Sequence, residues 1–455
     1  MKDNIFKSDL IIKDIKNEIK KYKSDKTTIH PYDFVELLLD LRELSKEKYL
    51  KILKKIPHKL FADILAEMPP YIQEEIAEIF GNKKVADIAS KMDTDDTADF
   101  IQNVSEENEK VANDILDNFK DDEKKVISQL ISYNEDEAGA YMQTEIFSVN
   151  ISENIGSSLK RLKKLKDNDK IDNIWHAHII DNNSKYLGSV GLEELILFEH
   201  HLYYSDIPKD KFLTYCVNHK SNIKDVIEMV TNYNLNIIAV LNENNQLIGR
   251  ITSDDIYDII EESATEQIYN LAGVDDDAEQ EERIFEIGKT RAVWLSINLF
   301  TAILASFIIG LFDETIHSLV ALAVLMPIVA SMGGNAGTQT LTVTVRQMAL
   351  GDIEGEDAKK TIIKEVIISL ANGILFAIII GVISYFWFNI PLLGVVIAIS
   401  IVINLLSAGF FGSIIPLLLQ KLKIDPAIGS TVLLTTITDI VGFFSFLGLA
   451  TIILL

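Results

Sequence analysis

The chain changes its pattern of hydrophobic and polar positions about two thirds of the way along. The first 290 residues place apolar side chains at the short periods of helices and strands, whereas the remainder contains long runs that are almost entirely apolar. A helix needs about 20 apolar residues to cross a bilayer. We therefore predict five membrane-spanning helices, at about 292–312, 318–350, 362–388, 392–419 and 428–454.

The charges between these runs predict how the helices are oriented. Lysine and arginine occur in the second and fourth connections, whereas the first and third connections and the C-terminus contain none. The basic residues concerned are Arg346, Lys359, Lys360, Lys364, Lys421 and Lys423. Because basic loops stay in the cytosol, the pattern predicts that the N-terminal region is cytosolic.

The first part of the chain contains a helical repeat with an offset of 24 residues. The segment FADILAEM, from Phe61, matches VADIASKM, from Val85, and a turn and a second amphipathic helix follow each copy. A supersecondary unit that recurs in tandem buries its apolar face against its neighbours. We predict that residues 1–133 form an all-α superhelical N domain.

A second repeat, with an offset of 61 residues, follows the N domain. The segment IIDNNSKYLGSVGLEELI, which ends at Ile196, matches VLNENNQLIGRITSDDIY, which ends at Tyr257. Each copy has the pattern of a strand, a turn, a second strand and a helix. The copies resemble CBS domains, so we predict a tandem α/β pair at residues 138–262, with modules at about 138–201 and 202–262.

The second module also resembles those CBS domains that bind adenosine nucleotides. Its GRITSDD sequence, with Thr252 and Asp255, is similar to the adenosine-binding signature of such domains. The first module has GSVGLEE instead and lacks the hydroxyl at Gly191. The resemblance therefore implies at most one ATP site.

A charged segment joins the second module to the first apolar run. Residues 263–288 are helix-prone and rich in charge. One interpretation is a simple linker, since charge runs are usually solvated faces. The other is a helix that transmits the state of the modules to the membrane region.

Net charge narrows the range of partners. Of the formal charge of −24, the first 290 residues hold −22 and the remainder −2. Such acidity excludes nucleic acid and anionic lipid as partners of the N-terminal region and favours cations. The single cysteine, Cys216, has no partner for an intramolecular disulfide. The first residues do not have the pattern of a signal peptide, so we expect the N-terminal region to remain in the cytosol.

The fifth apolar run contains a carboxylate. Thr431, Thr435 and Asp439 are spaced by four residues and therefore lie on one face of a helix. Acidic residues inside membrane helices are rare and usually functional, although such an aspartate can also simply join helices by hydrogen bonds. A hydroxyl-lined face with one carboxylate suits a hard cation that keeps its water, and Mg²⁺ fits it better than Ca²⁺.

The second apolar run contains residues that favour a broken helix. Pro327, Gly333, Gly334 and Gly337 predict a kink or an unwound turn, which a membrane tolerates only against protein or water. The stretch also provides side-chain oxygens, on Asn335, Thr338, Gln339, Thr340, Thr342 and Thr344. Close packing is the alternative interpretation, because small and hydroxyl residues are common at helix interfaces in membranes.

Two long motifs give the chain a resemblance to a known family. The sequences MPIVASMGGNAGTQTLTVTVRQMALGD and LKIDPAIGSTVLLTTITDIVG, with the order of domains, resemble the MgtE family of magnesium channels and transporters along nearly the whole chain. The resemblance implies a multidomain membrane protein with an all-α superhelical N domain, an α/β tandem CBS pair, a plug helix at 263–288 and an all-α five-helix transmembrane domain at 289–455. It also implies a homodimer in the cell membrane, surrounded by lipid.

The resemblance further implies a function and a set of residues. We expect Mg²⁺-selective influx through a pore on the two-fold axis, with Asp439 of both subunits binding hydrated Mg²⁺ and with contributions from Asn335 and Thr338. Cytosolic Mg²⁺ is expected to close the pore by binding carboxylates shared among the N domain, the CBS pair and the plug. The matching carboxylates are Asp63, Asp95, Asp99, Asp255, Asp258 and Glu266. At two positions where the family can have an acid, this chain has Asn234 and Ser263.

Other classes of protein fit the sequence less well. A membrane aspartyl protease needs a second acid, and the other acids after residue 290 lie near loops or near the ends of the apolar runs. The pairs His176 and His178, and His200 and His201, lack further ligands at the spacing of metal enzymes, and there is no P-loop. We therefore expect no enzyme activity. A Mg²⁺ sensor without transport is the remaining alternative; it explains the acidic region but not the polar face of the fifth run.

Overall fold

The computed structural model of the chain describes residues 2–25, 29–168, 171, 173–274, 284–349, 353, 357–422, 424, 426–427 and 429–455. These residues form two compact units, Met1–Ile260 and Glu261–Leu455. Each unit has buried apolar cores of its own.

The N domain consists of eight helices in the described part of the chain. They are α1 (Lys2–Asp25), α2 (Pro31–Leu44), α3 (Lys46–Leu53), α4 (His58–Ala66), α5 (Pro70–Phe80), α6 (Asn82–Ala89), α7 (Thr94–Leu116) and α8 (Asp121–Ile131). Proline begins α2 and α5, where its missing N–H would have no helical partner. The 24-residue repeat falls on α4 and α6, whose Ile64 and Ile88 are fully buried in one core. The predicted all-helical N domain is confirmed.

Two small α/β modules complete the first unit. The first module contains β1 (Ser148–Asn150), α9 (Ile155–Asp167), β2 (His176–Ile180), β3 (Tyr186–Gly191) and α10 (Leu192–Leu197). The second contains β4 (Cys216–Asn218), α11 (Ile223–Tyr233), β5 (Ile237–Leu241), β6 (Leu247–Thr252) and the start of α12 (Ser253–Ala272). Two short 3-10 turns, Tyr204–Asp206 and Lys209–Lys211, lie between the modules along the chain.

The two sheets have the same topology and register, as the repeat predicts. In each sheet the middle strand pairs in parallel with the strand before it and antiparallel with the strand after it. His178 pairs with Ser189 in the first sheet, and Ala239 pairs with Arg250 in the second, so the register is kept across the 61-residue offset. The predicted tandem pair is thus confirmed.

The second unit consists mainly of long apolar helices. After α12, the described part of the chain contains α13 (Ile284–Gly310), the short α14 (Asp313–Ser318), α15 (Ala321–Ala349), α16 (Asp357–Phe388), α17 (Pro391–Lys421) and α18 (Ser430–Ile453). Among these residues, five helical segments are long and apolar enough to cross a membrane, at 287–310, 321–349, 358–388, 391–421 and 430–453. The five predicted apolar helices are confirmed, and we number these candidate spans 1 to 5 in chain order.

Span 4 is the most buried of the five and packs against spans 2, 3 and 5. Small residues bring the helices close together. An added Cβ at Gly394 would lie 2.6 Å from the carbonyl oxygen of Gly381, so spans 3 and 4 are in backbone contact there. Close approach of this kind holds helices together in a membrane, where lipid removes the hydrophobic driving force between them.

Gly409 of span 4 offers a test of this packing. An alanine Cβ at this position would lie 2.1 Å from Ser369 Oγ and 3.0 Å from the carbonyl oxygen of Glu365 in span 3. We expect Gly409→Ala to lower the free energy of unfolding by about 1–3 kcal/mol, since an overpacked core must shift. Thermal unfolding of the protein in detergent measures the change. Gly288→Ala is the matched control, because no atom lies within 4 Å of the added methyl group; equal destabilisation by both substitutions would contradict the prediction.

Span 2 differs from the prediction in one respect. Helix α15 is continuous through Pro327, so the predicted unwound turn is wrong. Gly333 and Gly337 instead lie on the buried face, where they let other side chains approach. An added Cβ at Gly333 would lie 2.3 Å from Asn404 Nδ2, and one at Gly337 would lie 3.0 Å from Leu434. For these glycines, close packing is the correct interpretation.

Candidate ion path and acidic junction

Span 5 presents hydroxyl groups on a face that ends in a carboxylate. Thr431, Thr435 and Asp439 lie on one face of α18 and are all half-buried in the single chain. Thr435 Oγ1 donates to the carbonyl oxygen of Thr431 at 2.9 Å, and Thr431 Oγ1 donates to the carbonyl oxygen of Leu271 at 2.8 Å. Because the hydroxyl protons are used within the protein, the lone pairs of these oxygens are what the face offers to a ligand.

Asp439 itself has no such contact. Within the residues that the structure describes, no group donates a hydrogen bond to its carboxylate, and no lysine or arginine pairs with it. A carboxylate in an apolar helix is costly unless a proton, a cation or water compensates it. The single chain therefore leaves Asp439 open to a ligand.

Span 2 places a second group of polar side chains on its exposed face. The exposed polar residues are Ser331, Asn335, Thr338, Gln339 and Thr342. Asn335 Nδ2 donates to Ser331 Oγ at 3.2 Å, so the hydrogen bond runs along the face. Asn335 and Thr338, the residues that the resemblance assigns to an ion path, thus lie at the surface of the single chain.

Two threonines of the same span lie on its opposite side. Thr340 and Thr344 are buried, and Thr344 Oγ1 donates to the carbonyl oxygen of Thr340 at 2.8 Å. Thr340 Oγ1 donates to Glu365 Oε2 of span 3 at 3.2 Å. These two hydroxyls belong to the helix interface. Close packing of the helices explains them, and they are not part of the candidate ion path.

Glu365 is a further buried polar residue of the membrane part, and its position in the sequence does not indicate its burial. It lies about two turns into span 3 and is only 6% exposed, and Thr340 is its one hydrogen-bond donor among the described residues. Its place beside Lys364, near the start of an apolar run, is typical of an interfacial residue. Helical spacing puts Glu365 and Ser369 on one face, but this signal does not show whether that face is buried.

Asn404 of span 4 fixes the positions of spans 2 and 5. Its side chain is fully buried, and Nδ2 donates to the carbonyl oxygen of Val329 at 2.8 Å. Added Cβ atoms at Gly333 and Gly442 would lie 2.3 and 2.6 Å from Nδ2, so glycine is needed at both positions. Gly442 follows Asp439 by less than one helical turn, and the same contact therefore helps to set the position of the carboxylate.

A second candidate site lies in the first unit, where the N domain meets the second module. Thr94, at the start of α7, donates from Oγ1 to Glu145 Oε2 at 3.0 Å and accepts from the Thr144 backbone N–H at 2.9 Å. Gln143 pairs with Arg250 of β6 through two backbone hydrogen bonds, of 2.8 and 2.9 Å. We name this region the acidic junction and define it by five carboxylates: Asp93, Asp95, Asp96, Glu145 and Asp255.

Burial and mutual repulsion favour the protonated form of these carboxyl groups. Burial raises the pKa of Asp95 well above its usual range, and the charges of Asp96 and Asp255 raise it further. Burial and the charges of Asp93 and Asp99 raise the pKa of Asp96 to about 8. Burial and the charges of Asp254 and Asp258 raise the pKa of Asp255 to about 6. Burial and the charge of Asp93 also raise the pKa of Glu145. A divalent cation among these groups would relieve the repulsion.

The acidic junction contains two of the predicted regulatory residues and lies close to two more. Asp95, which is 7% exposed, and Asp255 belong to it. Asp99 and Asp258 are exposed, and their charges act on Asp96 and Asp255 respectively. The structure thus brings acids of the N domain and of the second module together.

The remaining predicted regulatory residues lie elsewhere. Asp63 is half-buried on α4, and Glu266 is exposed on α12, where it accepts a hydrogen bond from Asn270 Nδ2 at 3.3 Å. Part of the predicted plug, residues 275–283, lies outside the described residues. Within the part that the structure describes, no three histidine, cysteine or carboxylate side chains surround a ready-made metal position.

Local backbone geometry explains the asparagine at position 234. Asn234 ends α11 in the left-handed conformation, with a φ of 50°, and its N–H donates to the carbonyl oxygen of Val230. Asparagine tolerates this conformation better than most residues with a side chain. Ser263, the other position without an acid, lies half-buried inside α12.

Thr252 and Asp255, the residues of the predicted nucleotide site, are in contact with each other. The backbone N–H and Oγ1 of Thr252 both donate to Asp255 Oδ2, and the first of these bonds, at 3.1 Å, caps the start of α12. A nucleotide that used these groups would have to replace both hydrogen bonds. ATP at this position stays a prediction.

Three family models match the chain in the order in which its parts occur. The MgtE intracellular N domain matches residues 29–136, and the CBS domain matches residues 205–262. The MgtE model, described as a divalent cation transporter, matches residues 326–449.

Two solved structures match a little over half of the chain. The cytosolic domain of the Mg²⁺ channel MgtE in complex with ATP is 23% identical, with a TM-score of 0.46, and the match covers 51% of this chain and 90% of that one. The soluble part of a magnesium transporter is 20% identical, with a TM-score of 0.47, and the match covers 57% of this chain and 99% of that one.

Curated relatives match over most of the chain. The magnesium transporter MgtE of Bacillus subtilis is 27% identical over 434 residues, which cover 95% of this chain and 94% of the relative. The protein of the same name from Thermus thermophilus is 27% identical over 94% of this chain and 93% of its own length. The protein of the same name from Enterococcus faecalis is 29% identical over 325 residues, which cover 71% of this chain and 70% of the relative. The N domain, the second module and the membrane part are thus each matched by a family model, and the MgtE family of divalent cation transporters is the family that the models and the relatives identify.

Proposed function

We propose that this chain transports Mg²⁺ into the cell across the plasma membrane, through a path lined by spans 2 and 5. The observation that supports this most is Asp439, a carboxylate without a donor among the described residues, on a hydroxyl-lined face of an apolar helix. Relatives that match nearly the whole chain are named magnesium transporters. Basic residues in the second and fourth connections favour a cytosolic N-terminal region.

The chemistry of the path favours a hard, hydrated cation. Mg²⁺ keeps several of its waters and is bound through one or two carboxylates. Hydroxyl oxygens whose protons are already donated, such as that of Thr435, accept hydrogen bonds from these waters. Thiolate and imidazole ligands, which suit softer metals, do not occur in the five spans: Cys216 belongs to the first unit and His317 to α14.

We propose that two copies of the chain form the path. In a single chain the exposed face of span 2, with Asn335 and Gln339, would meet lipid. The hydrogen bond from Asn335 to Ser331 satisfies only part of its amide, and polar groups left unsatisfied in hydrocarbon cost several kcal/mol. A second copy related by a two-fold axis would cover this face and place two Asp439 carboxylates beside one aqueous path. Spans 1 and 3, which are the least buried, would then contact lipid.

We further propose that cytosolic Mg²⁺ closes the path by binding at the acidic junction. The raised pKa values of Asp95 and Asp96 reflect burial and repulsion among N-domain acids and Asp255 of the second module. Burial and the charges of Asp254 and Asp258 raise the pKa of Asp255. A cation that bridges them would hold the two parts together. Mg²⁺ shifts the equilibrium only if it binds this closed arrangement better than an open one. Asp63, Asp99, Asp258 and Glu266 remain candidates for further regulatory contacts.

Mg²⁺ flux into phospholipid vesicles tests both proposals. Vesicles containing the purified full-length chain and a Mg²⁺-sensitive dye are expected to take up Mg²⁺ faster than protein-free vesicles. Uptake is expected to fall when Mg²⁺ on the side of the N-terminal region is raised. No uptake, even with that side kept low in Mg²⁺, would contradict transport and favour a membrane-bound Mg²⁺ sensor. Uptake that ignores Mg²⁺ on that side would contradict the regulation alone.

A further inference from the structure

Arg250 is the most deeply buried charged side chain at the acidic junction. It lies on β6 and is 2% exposed, and its Nη1 donates to the carbonyl oxygen of Asn173, in the first module, at 3.0 Å. Its backbone N–H and C=O both pair with Gln143, in the segment between the N domain and β1. Arg250 thus connects the second module with the segments on both sides of β1.

A guanidinium in this position needs anions to compensate its burial. Burial lowers the pKa of Arg250, whereas the carboxylates of Asp93, Glu145, Asp95 and Asp255 act in the opposite direction. A buried charge that loses its compensating partner is strongly destabilising. Arg250 and the carboxylates of the junction therefore stabilise each other.

The repeat provides an internal comparison for this position. Ser189 of β3 occupies the same register as Arg250, and its backbone N–H and C=O pair with Leu213 just as those of Arg250 pair with Gln143. The backbone environment is therefore the same in both modules. Only the copy that lies beside the N-domain carboxylates has an arginine in this register, so backbone geometry does not explain the arginine.

We infer that Arg250 is a built-in cation that takes one cation position of the acidic junction and holds the N domain against the second module without metal. The inference rests on the proposed function, because it assumes that Mg²⁺ binds at the junction. The negative charge of the junction is then compensated partly by the guanidinium of Arg250 and partly by Mg²⁺. One guanidinium cannot compensate all five acids once they are ionised, so Mg²⁺ still has acids to bridge. The chain is then partly closed at low Mg²⁺, and the ion completes the closure.

Hydrogen–deuterium exchange of the full chain in detergent tests this inference. The backbone amides at positions 94 and 144 donate across the junction, to Glu145 Oε2 and Thr94 Oγ1 respectively, so they are protected only while it is closed. With a chelator present, we expect Arg250→Met to speed exchange at both positions by about tenfold or more. Saturating Mg²⁺ is expected to remove most of this difference, because the ion can bind the carboxylates that the guanidinium leaves. Arg250→Lys keeps the charge and is expected to exchange more like the native chain.

A matched control and two opposite outcomes make the test decisive. Arg161→Met removes an arginine that pairs with Glu153 on the first module, and it is expected to leave exchange at both positions unchanged. If Arg250 only fills space, Arg250→Met speeds exchange by the same factor with and without Mg²⁺, and Arg250→Lys gives no rescue. That result, or no effect of Arg250→Met in chelator, overturns the inference.

Failure of the proposed regulation would give a different result. In that case Mg²⁺ would not change exchange in the native chain, and the inference would be tested in chelator with Asp95→Asn. If Arg250 neutralises Asp95, Arg250→Met has a smaller effect in the Asp95→Asn background than in the native one. If Arg250→Met speeds exchange by the same factor in the native and the Asp95→Asn background, the two residues act independently and the inference is overturned.

Discussion

Asp439→Asn is expected to lower Mg²⁺ entry into vesicles by about 100-fold or more, which corresponds to about 3 kcal/mol of lost ion stabilisation. Asparagine has nearly the shape of aspartate but no charge, and the described residues offer no other anion on that face of span 5. In a homodimer both carboxylates would be lost at once. Dye-loaded vesicles measure the entry, and size-exclusion chromatography in detergent shows whether the oligomer is unchanged.

Asp313→Asn is the matched control for this substitution. Asp313 lies on α14 outside the spans, and its side chain is 74% exposed. The same change of charge there is expected to leave Mg²⁺ entry within about twofold of the native value, because exposed charges are screened by salt. Unchanged entry in Asp439→Asn would make this aspartate a structural residue and direct attention to Asn335 and its neighbours. Equal loss in both variants would point to a general effect of net charge.

The acidic junction is expected to lose stability as the pH rises from about 5 to about 8 when divalent cations are absent. An aspartate has an unfolded-state pKa of about 4, whereas in the folded chain the pKa is about 8 for Asp96 and about 6 for Asp255. The folded state therefore binds more protons than the unfolded state over this range, and stability falls until the pH has passed the folded pKa. Hydrogen–deuterium exchange at position 144, whose amide donates to Thr94 Oγ1, measures the effect when a chelator is present. Stability that rises over this range would contradict the assignment.

Mg²⁺ binding at the junction is expected to release protons near pH 7. Asp96 is largely protonated at this pH, and a carboxylate must lose its proton to compensate a cation. Titration calorimetry in two buffers of different ionisation enthalpy measures the number of protons released. Asp96→Asn is expected to reduce this number, whereas Asp114→Asn, beyond the kink of α7 at Asn108 and outside the junction, is expected to leave it unchanged. A binding enthalpy that is the same in both buffers would show that no protons are released.

The elements that depend on one local property of the chain could be predicted from the sequence. The spans follow from runs of about 20 apolar residues, and the tandem modules follow from a repeat that also preserves strand register. The face that each helix buries could not be predicted in this way. Thr338 and Thr340 lie two residues apart in one polar stretch, yet the first is exposed and the second buried. That difference depends on span 4, which packs against one side of span 2 only.

The candidate sites show the same limit. Asp439 is recognisable in the sequence because a carboxylate within an apolar run is rare. Arg250 is not, because the GRITSDD segment resembles a nucleotide signature through Thr252 and Asp255 alone. The role inferred for Arg250 depends on Asp93, Glu145 and Asp95, which come from distant parts of the chain and act on its charge only in the folded unit. A single sequence does not show such proximity.

The inward-turned hydroxyls of span 5 have a consequence for time rather than for affinity. Mg²⁺ loses its bound water slowly. A path whose side chains had to bind the dehydrated ion directly would therefore slow the passage of each ion. Oxygen lone pairs such as that of Thr435 accept hydrogen bonds from the water around the ion, so the ion does not have to be dehydrated. With one carboxylate per chain to slow it, an ion is held weakly enough to leave again, as conduction demands. On the proposed path, the residence time of Mg²⁺ is therefore expected to be short, because the threonine hydroxyls donate their protons to the backbone and offer only lone pairs to the hydrated ion.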